Sequence, residues 1–246
     1  PRDILPDLER PDDPQDTAKL KAVLVLVATI AFVLSPFLAQ PFAGFDPAQM
    51  PIPVERPPIQ PAGYAFSIWG VIYLWLLASA GFGLIRRDTG RDWDAGRWAL
   101  FASLAIGASW IAVALSAPVM ATVLIWLMLA GALLALRHAP GGDRVWFAWP
   151  VGLYAGWLTA AACVALGTVA IGHGLGSEIA ISWIMLVFAL LLAMGFSLRL
   201  RIATYPIAVA WALAGVVAAN GASAFGIAAG LGALTLLALA LRQARA

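Results

Sequence analysis

Eight apolar runs, parted by short polar links, limit what this chain can fold into. They lie near 19–39, 64–85, 98–117, 118–136, 145–171, 178–198, 202–219 and 223–241. About 20 mostly apolar residues are what a helix needs to cross a bilayer core. Lipid offers backbone N–H and C=O groups no water, so only helices or closed barrels span it. Barrel strands would show short alternating segments, and none appears. Of the 246 residues, 62% are hydrophobic and only 11% charged, against about 25% charged in a soluble domain. The expectation is an all-α integral membrane protein with about eight transmembrane helices.

The basic residues test that count. Arg2, Arg10, Lys19 and Lys21 precede the first run. Arg86, Arg87, Arg91 and Arg97 stand between runs two and three, Arg137 and Arg144 between four and five, Arg199 and Arg201 between six and seven, and Arg242 and Arg245 after the eighth. Only Arg56 falls on the other side, so fourteen of the fifteen basic residues share one side. Lys and Arg concentrate on the cytoplasmic face of membrane proteins, and a wrong span count would scramble the pattern. Both termini are therefore expected in the cytoplasm. Thirteen Arg against two Lys, with abundant Ala, points to a GC-rich bacterial genome and hence a bacterial inner membrane. The net charge of +2 gives no nucleic-acid footprint, and no nucleic-acid partner is expected.

The runs carry no Asp, Glu, Lys or Arg at mid-depth; every one is assigned to a link, a tail or a helix end. Intramembrane ionisable residues mark proton relays, ion paths and voltage sensors, so a coupled transporter or charged channel filter is disfavoured. No HExxH, GxSxG, P-loop or GxGxxG pattern stands in a suitable context, and the chain is not read as an enzyme. His138 and His173 lie at run ends and read first as interfacial residues, with a metal or haem-iron role the lesser alternative. Glu178 opens a helix, where a carboxylate complements the dipole. Cys163, the one cysteine, reads as a small core residue. No metal site is expected.

Residues 1–18 are rich in Asp, Glu and Pro and have too little apolar surface to pack, so they read as an acidic cytoplasmic tail. The link over 40–63 is the one long outward link and holds Pro41, Pro47, Pro51, Pro53, Pro57, Pro58 and Pro61. Prolines keep such a segment stiff, and a long ordered loop is often a lid. It runs into Pro61-Ala62-Gly63-Tyr64-Ala65-Phe66-Ser67-Ile68-Trp69-Gly70-Val71-Ile72-Tyr73, the densest aromatic stretch of the chain. Trp69 and Tyr73, four apart, share a helix face, as do Tyr154 and Trp157, three apart. Trp75, Trp110, Trp126, Trp157 and Trp211 fall nearer mid-helix than the belt positions where Trp usually collects. The pairs Gly152/Gly156 and Gly226/Gly230 have GxxxG spacing, which lets helix backbones approach closely.

These residues carry a resemblance. The Pro-rich loop followed by Trp69-Gly-Val-Ile-Tyr73 is similar to the tryptophan-rich sensory protein / translocator protein (TspO/MBR) family. So are Trp110 in Gly-Ala-Ser-Trp and Trp149-Pro150 continuing to Tyr154-Ala-Gly-Trp157. The chain departs from the family pattern at Phe66, three residues before Trp69 rather than four, and in lacking the Asn of helix three. The resemblance covers about residues 20–172. It implies a five-helix TspO-like bundle over 19–172 with its lid over 40–63, and a three-helix C-terminal extension over 173–246. It also implies a pocket for a flat apolar ligand lined by Tyr64, Phe66, Trp69, Tyr73, Trp110, Tyr154 and Trp157. The ligands it implies are a porphyrin, haem or a lipid, in a sensory, transport or regulatory role. The alternative is an accessory or assembly subunit of a larger bacterial membrane complex, motivated by the extra helices, the acidic tail and the absence of a catalytic set. Membrane lipids, an apolar small molecule, and a homodimer or larger complex are the partners these readings leave open.

Overall fold

A computed structural model describes residues 14–40, 42 and 44–245. The described residues form eight α-helices and no strand: α1 (Pro14–Leu38), α2 (Ile68–Arg86), α3 (Arg91–Ala114), α4 (Pro118–Arg137), α5 (Ala148–Gly172), α6 (Glu178–Leu200), α7 (Thr204–Asn220) and α8 (Ala224–Ala244). Seven are long and apolar enough to cross a membrane, whereas α7, with 17 residues, is shorter. The chain is a multi-pass helical membrane protein.

Local chemistry explains the boundaries. Pro118 starts α4, where a missing N–H costs nothing. Ser177 and Ser223 cap α6 and α8, accepting from the N–H groups of Ala180 and Gly226. Gly221 ends α7 with φ +57°, a conformation that favours glycine. Helix α1 begins at Pro14, inside the stretch read as a tail, whose earlier residues lie outside those described. The second helix does not begin at residue 64: Gly63–Ser67 is a 3-10 turn and α2 starts at Ile68. The third begins seven residues before Trp98, because Gly90 caps it and Asp92 and Asp94 suit its first turn.

That earlier start corrects one expectation. Arg97 lies not in a link but within α3, and only 2% of it is exposed. Its Nη1 donates to the carbonyls of Ala18 (3.2 Å) and Asp88 (2.8 Å), and its Nη2 to those of Gly83 (3.2 Å) and Arg87 (2.5 Å). The last carbonyls of a helix have no partner within it. Arg97 thus satisfies the end of α2 and ties it to α1 and α3. Lys21 pairs with Asp94 at 2.8 Å, and Arg87 with Asp143 at 2.7 Å. Asp143 also accepts from the Trp93 indole at 2.9 Å. The Arg87 guanidinium, through its hydrogen bonds, holds the Asp143 carboxyl below the usual carboxylate range. These bonds gather the α2–α3 link, the α4–α5 link and the start of α1 at one end of the bundle.

Helices α1, α2, α5, α4 and α3 pack in that order as a closed ring. Helix α5 also carries α6 and α7, and α8 lies against α7 and α6. Helix α5 is therefore buried around most of its circumference. The glycines with GxxxG spacing face a helix of the same chain. A Cβ on Gly156 would fall on the Tyr205 carbonyl oxygen and lie 2.9 Å from the Ala208 Cβ. One on Gly152 would lie 2.5 Å from the Thr204 hydroxyl. At this closest approach the Thr204 hydroxyl donates to the Trp149 carbonyl (2.8 Å). The Thr159 hydroxyl donates to the Ala155 carbonyl (2.9 Å) and accepts from the Tyr205 hydroxyl (2.9 Å). Tyr205, Ala208 and Ala212 of α7 accordingly belong to the same core as α1–α5.

Two predictions follow from this packing. Gly156→Ala forces α5 and α7 apart, at a cost of about 1–3 kcal/mol. Gly195→Ala, with nothing within 4 Å of the added methyl, is neutral or slightly stabilising. Comparing the thermal unfolding of the two in detergent checks the contact. Arg97→Ala leaves four carbonyls without their donor and costs about 2–4 kcal/mol, whereas Arg86→Ala, at an exposed position, leaves the apparent Tm nearly unchanged.

Candidate functional site

The site grows from the junction of the Pro-rich link with α2. Trp211 of α7 donates its indole N–H to the Ala65 carbonyl (2.9 Å), and the Ala62 N–H donates to the Gly215 carbonyl (2.9 Å). Gly215 permits this approach, since a Cβ there would lie 2.7 Å from that of Ala65 and 2.8 Å from that of Pro61. Helix α7 thereby fixes the 3-10 turn that presents Phe66 and starts α2 at the right angle to present Trp69.

The rest of the link is pinned at its other contacts. The Gln49 amide donates to the Leu115 carbonyl. The Ile52 N–H donates to the Gly172 carbonyl (2.9 Å), beside which Met50 packs. The Asn220 amide donates to the Pro58 carbonyl (2.8 Å). The link thus forms a roof tied to the ends of α3, α5 and α7. Beneath it, Phe42 and Phe45 reach over the bundle, with Phe42 set edge-on to Trp110 at 5.0 Å.

Under this roof lie two adjoining apolar lobes of about 90 and 180 Å³. Phe42, Phe66, Trp69, Trp110 and Ile125 line both. The smaller lobe extends to Trp157 and to Val209, Leu213 and Val216 of α7; the larger extends to Phe32 and Tyr73. Trp69 stacks on Tyr73 (5.2 Å, 20°), and Phe66 meets Trp157 edge-on (5.6 Å). Phe32 of α1 stands edge-on to Trp69, Tyr73 and Tyr154. Phe32 can enter because Gly107 faces it: a Cβ there would lie 2.8 Å from the ring.

Of the seven residues singled out in the sequence, Phe66, Trp69, Tyr73, Trp110 and Trp157 come together around the lobes. Tyr154 lies fully buried behind them, 6.4 Å from Trp69. Its hydroxyl donates to that of Ser103 (3.0 Å), which donates in turn to the Met128 carbonyl (2.7 Å). Tyr64 is 52% exposed and packs edge-on against Trp211, outside both lobes. Phe32, Phe42, Phe45 and the α7 wall were missed. No spacing rule joins Phe32 of α1 to Trp69, or the link to α7 more than a hundred residues later, but the small residue at Gly107 hints that a large one faces it.

The polar groups at the lobes are few. Trp110 donates its indole N–H to the Ala121 carbonyl (2.8 Å). The Trp157 indole N–H is buried and, among the described residues, without a partner. Gln60, Cys163 and Thr168 also belong to the lining of the smaller lobe. His138 and His173 both turn back, each donating from Nδ1 to the carbonyl four residues before it, at 2.9 and 2.8 Å. Among the described residues no group of His, Cys, Asp or Glu is placed to hold a metal ion. The arrangement is suited to binding: a flat apolar body between aromatic faces, with a hydrogen-bond acceptor for Trp157.

No curated protein and no solved structure matches the chain. A family model does. That of the TSPO-like protein family matches residues 22–242, from α1 nearly to the end of α8. The aromatic turn under its roof and the match across all eight helices identify the chain as a member of the TSPO-like family.

Proposed function

We propose that this membrane protein binds a flat apolar ligand, a tetrapyrrole or a lipid, in the aromatic cavity beneath the 40–63 link, in a sensory, transport or regulatory role. The carrying observation is the cavity between Phe66, Trp69, Trp110 and Trp157, closed above by Phe42 and Phe45. Its walls offer faces to stack on, and the buried, unpartnered Trp157 indole N–H offers a donor to a carbonyl or carboxylate at a ligand's edge. Small-molecule pockets usually hold about 300–1,000 Å³, more than the two lobes together. The two lobes share Phe42, Phe66, Trp69, Trp110 and Ile125, and a ligand of that size needs some of these side chains to move. The link is read as a lid, tied to the bundle at Gln49, Ile52, Pro58 and Ala62. By the positive-inside bias, we take the arginine-rich end and both termini as cytoplasmic, the lid as outward-facing and a bacterial inner membrane as the compartment.

Titrating the purified protein with protoporphyrin IX, followed by Trp fluorescence and Soret absorbance, tests this reading. Saturable binding is expected. Trp157→Phe keeps a ring but loses the donor, and weakens binding about fivefold to tenfold, the worth of one buried hydrogen bond. Trp69→Ala weakens it further, and Tyr64→Phe leaves it unchanged. Absence of saturation with tetrapyrroles and with lipid probes, or identical affinity in all three variants, would rule the cavity out as the binding site.

A further inference from the structure

At the opposite end of the bundle a larger cavity opens, of about 710 Å³, between the ends of α4, α5, α6, α7 and α8. Four arginines line it: Arg137, Arg144, Arg199 and Arg201. No Asp or Glu does. None of the four makes an ion pair among the described residues, and all four are exposed. The nearest acid in sequence, Asp143, is already held by Arg87 and Trp93. The remaining walls are apolar, with Leu133, Leu136, Phe196 and Leu200 running down from the arginines.

Arg201 stands out further. Its backbone is left-handed, φ +53° and ψ +42°, the only positive φ at a non-glycine position among the described residues. Glycine is the residue that closes a helix at such a position without strain. An arginine there costs backbone energy that its charge must offset. Ile202 and Ala203, which lead into the first turn of α7, also line the cavity, so the positive end of that helix faces it. Gln243, also in the lining, donates its amide to the Ser197 carbonyl (2.8 Å), while the Gln243 Oε1 and the Ser197 hydroxyl are buried without partners.

We infer that this cavity is a binding site for the phosphate headgroup of an anionic phospholipid. Arginine forks match phosphate oxygens, and basic pockets between membrane helices take anionic headgroups. Leu133, Leu136, Phe196 and Leu200 give an acyl chain an apolar wall to lie against, from which a free phosphate gains nothing. The volume suits a headgroup with the first part of its chains. This site is separate from the aromatic cavity and does not depend on what that cavity binds.

The test is native mass spectrometry of the full chain released from vesicles of phosphatidylcholine with phosphatidylglycerol. Wild type should retain phosphatidylglycerol over phosphatidylcholine by about tenfold. Arg201→Gly removes one guanidinium while relaxing the backbone, so it keeps the fold and lowers that preference about fivefold, the worth of one basic residue near a membrane surface. Arg199→Gln does the same. Arg242→Gln, at the same end but outside the lining, changes it less than twofold. Inorganic phosphate and glycerol 3-phosphate at millimolar concentration leave the lipid in place. Equal retention of the two lipids overturns the inference, as does an equal loss with Arg242→Gln, which would mean diffuse surface attraction. Displacement by inorganic phosphate overturns it too, by making the ligand a soluble ion.

Discussion

The distance between α5 and α7 is set by two glycines, and most of the structure depends on it. Gly152 and Gly156 let the α7 backbone come so close that a methyl group would collide with it. In lipid, where apolar burial does not drive helices together, such close packing and a few interhelical hydrogen bonds hold a bundle. Tyr205 and Thr159 complete the contact with one such bond. With α7 in place, its Trp211 and Gly215 hold the turn over Ala62 and Ala65. That turn aims Phe66 and Trp69, and the cavity follows. A contact between two helices thus governs a site that neither occupies alone.

Polar groups inside the bundle obey the same constraint. Without water, each must find a partner or leave a donor exposed to whatever enters. Tyr154 and Tyr205 each bond a hydroxyl on a neighbouring helix, and Trp110 and Trp211 each bond a carbonyl. Arg97, the one buried charge among the described residues, is spent on helix-end carbonyls and stays near the membrane edge. The Trp157 N–H is left unpartnered, as are the Ser182 and Ser197 hydroxyls, and of these it is the one at the wall of the aromatic cavity.

The two ends of the molecule differ in kind. One is roofed by a proline-rich link over aromatic rings, with almost no charge. The other gathers unpaired arginines around an open cleft. As proposed, the first would take a ligand by stacking and shape, the second by charge. Helix α7 borders the first through Val209 and Leu213, and Ile202 and Ala203, which lead into it, line the second.

Much of this was legible in the sequence. Run lengths and the placement of Arg determined eight helices and a shared basic end, because lipid permits few alternatives. Spacing by three and four placed Trp69 with Tyr73, since a helix repeats its face at that interval. Pro118 and Gly221 marked ends that only their backbone chemistry allows. What the sequence did not carry was which helix meets which. Phe32 behind Trp69, Phe42 across from Trp110, Tyr64 turned away to Trp211, and α7 as a wall of the cavity all depend on contacts between distant segments. Those contacts are chosen by packing, and packing has no period in the chain. The dense aromatic stretch after residue 61 stood out in the sequence. Only the tertiary structure decided that a helix 150 residues later holds it in position.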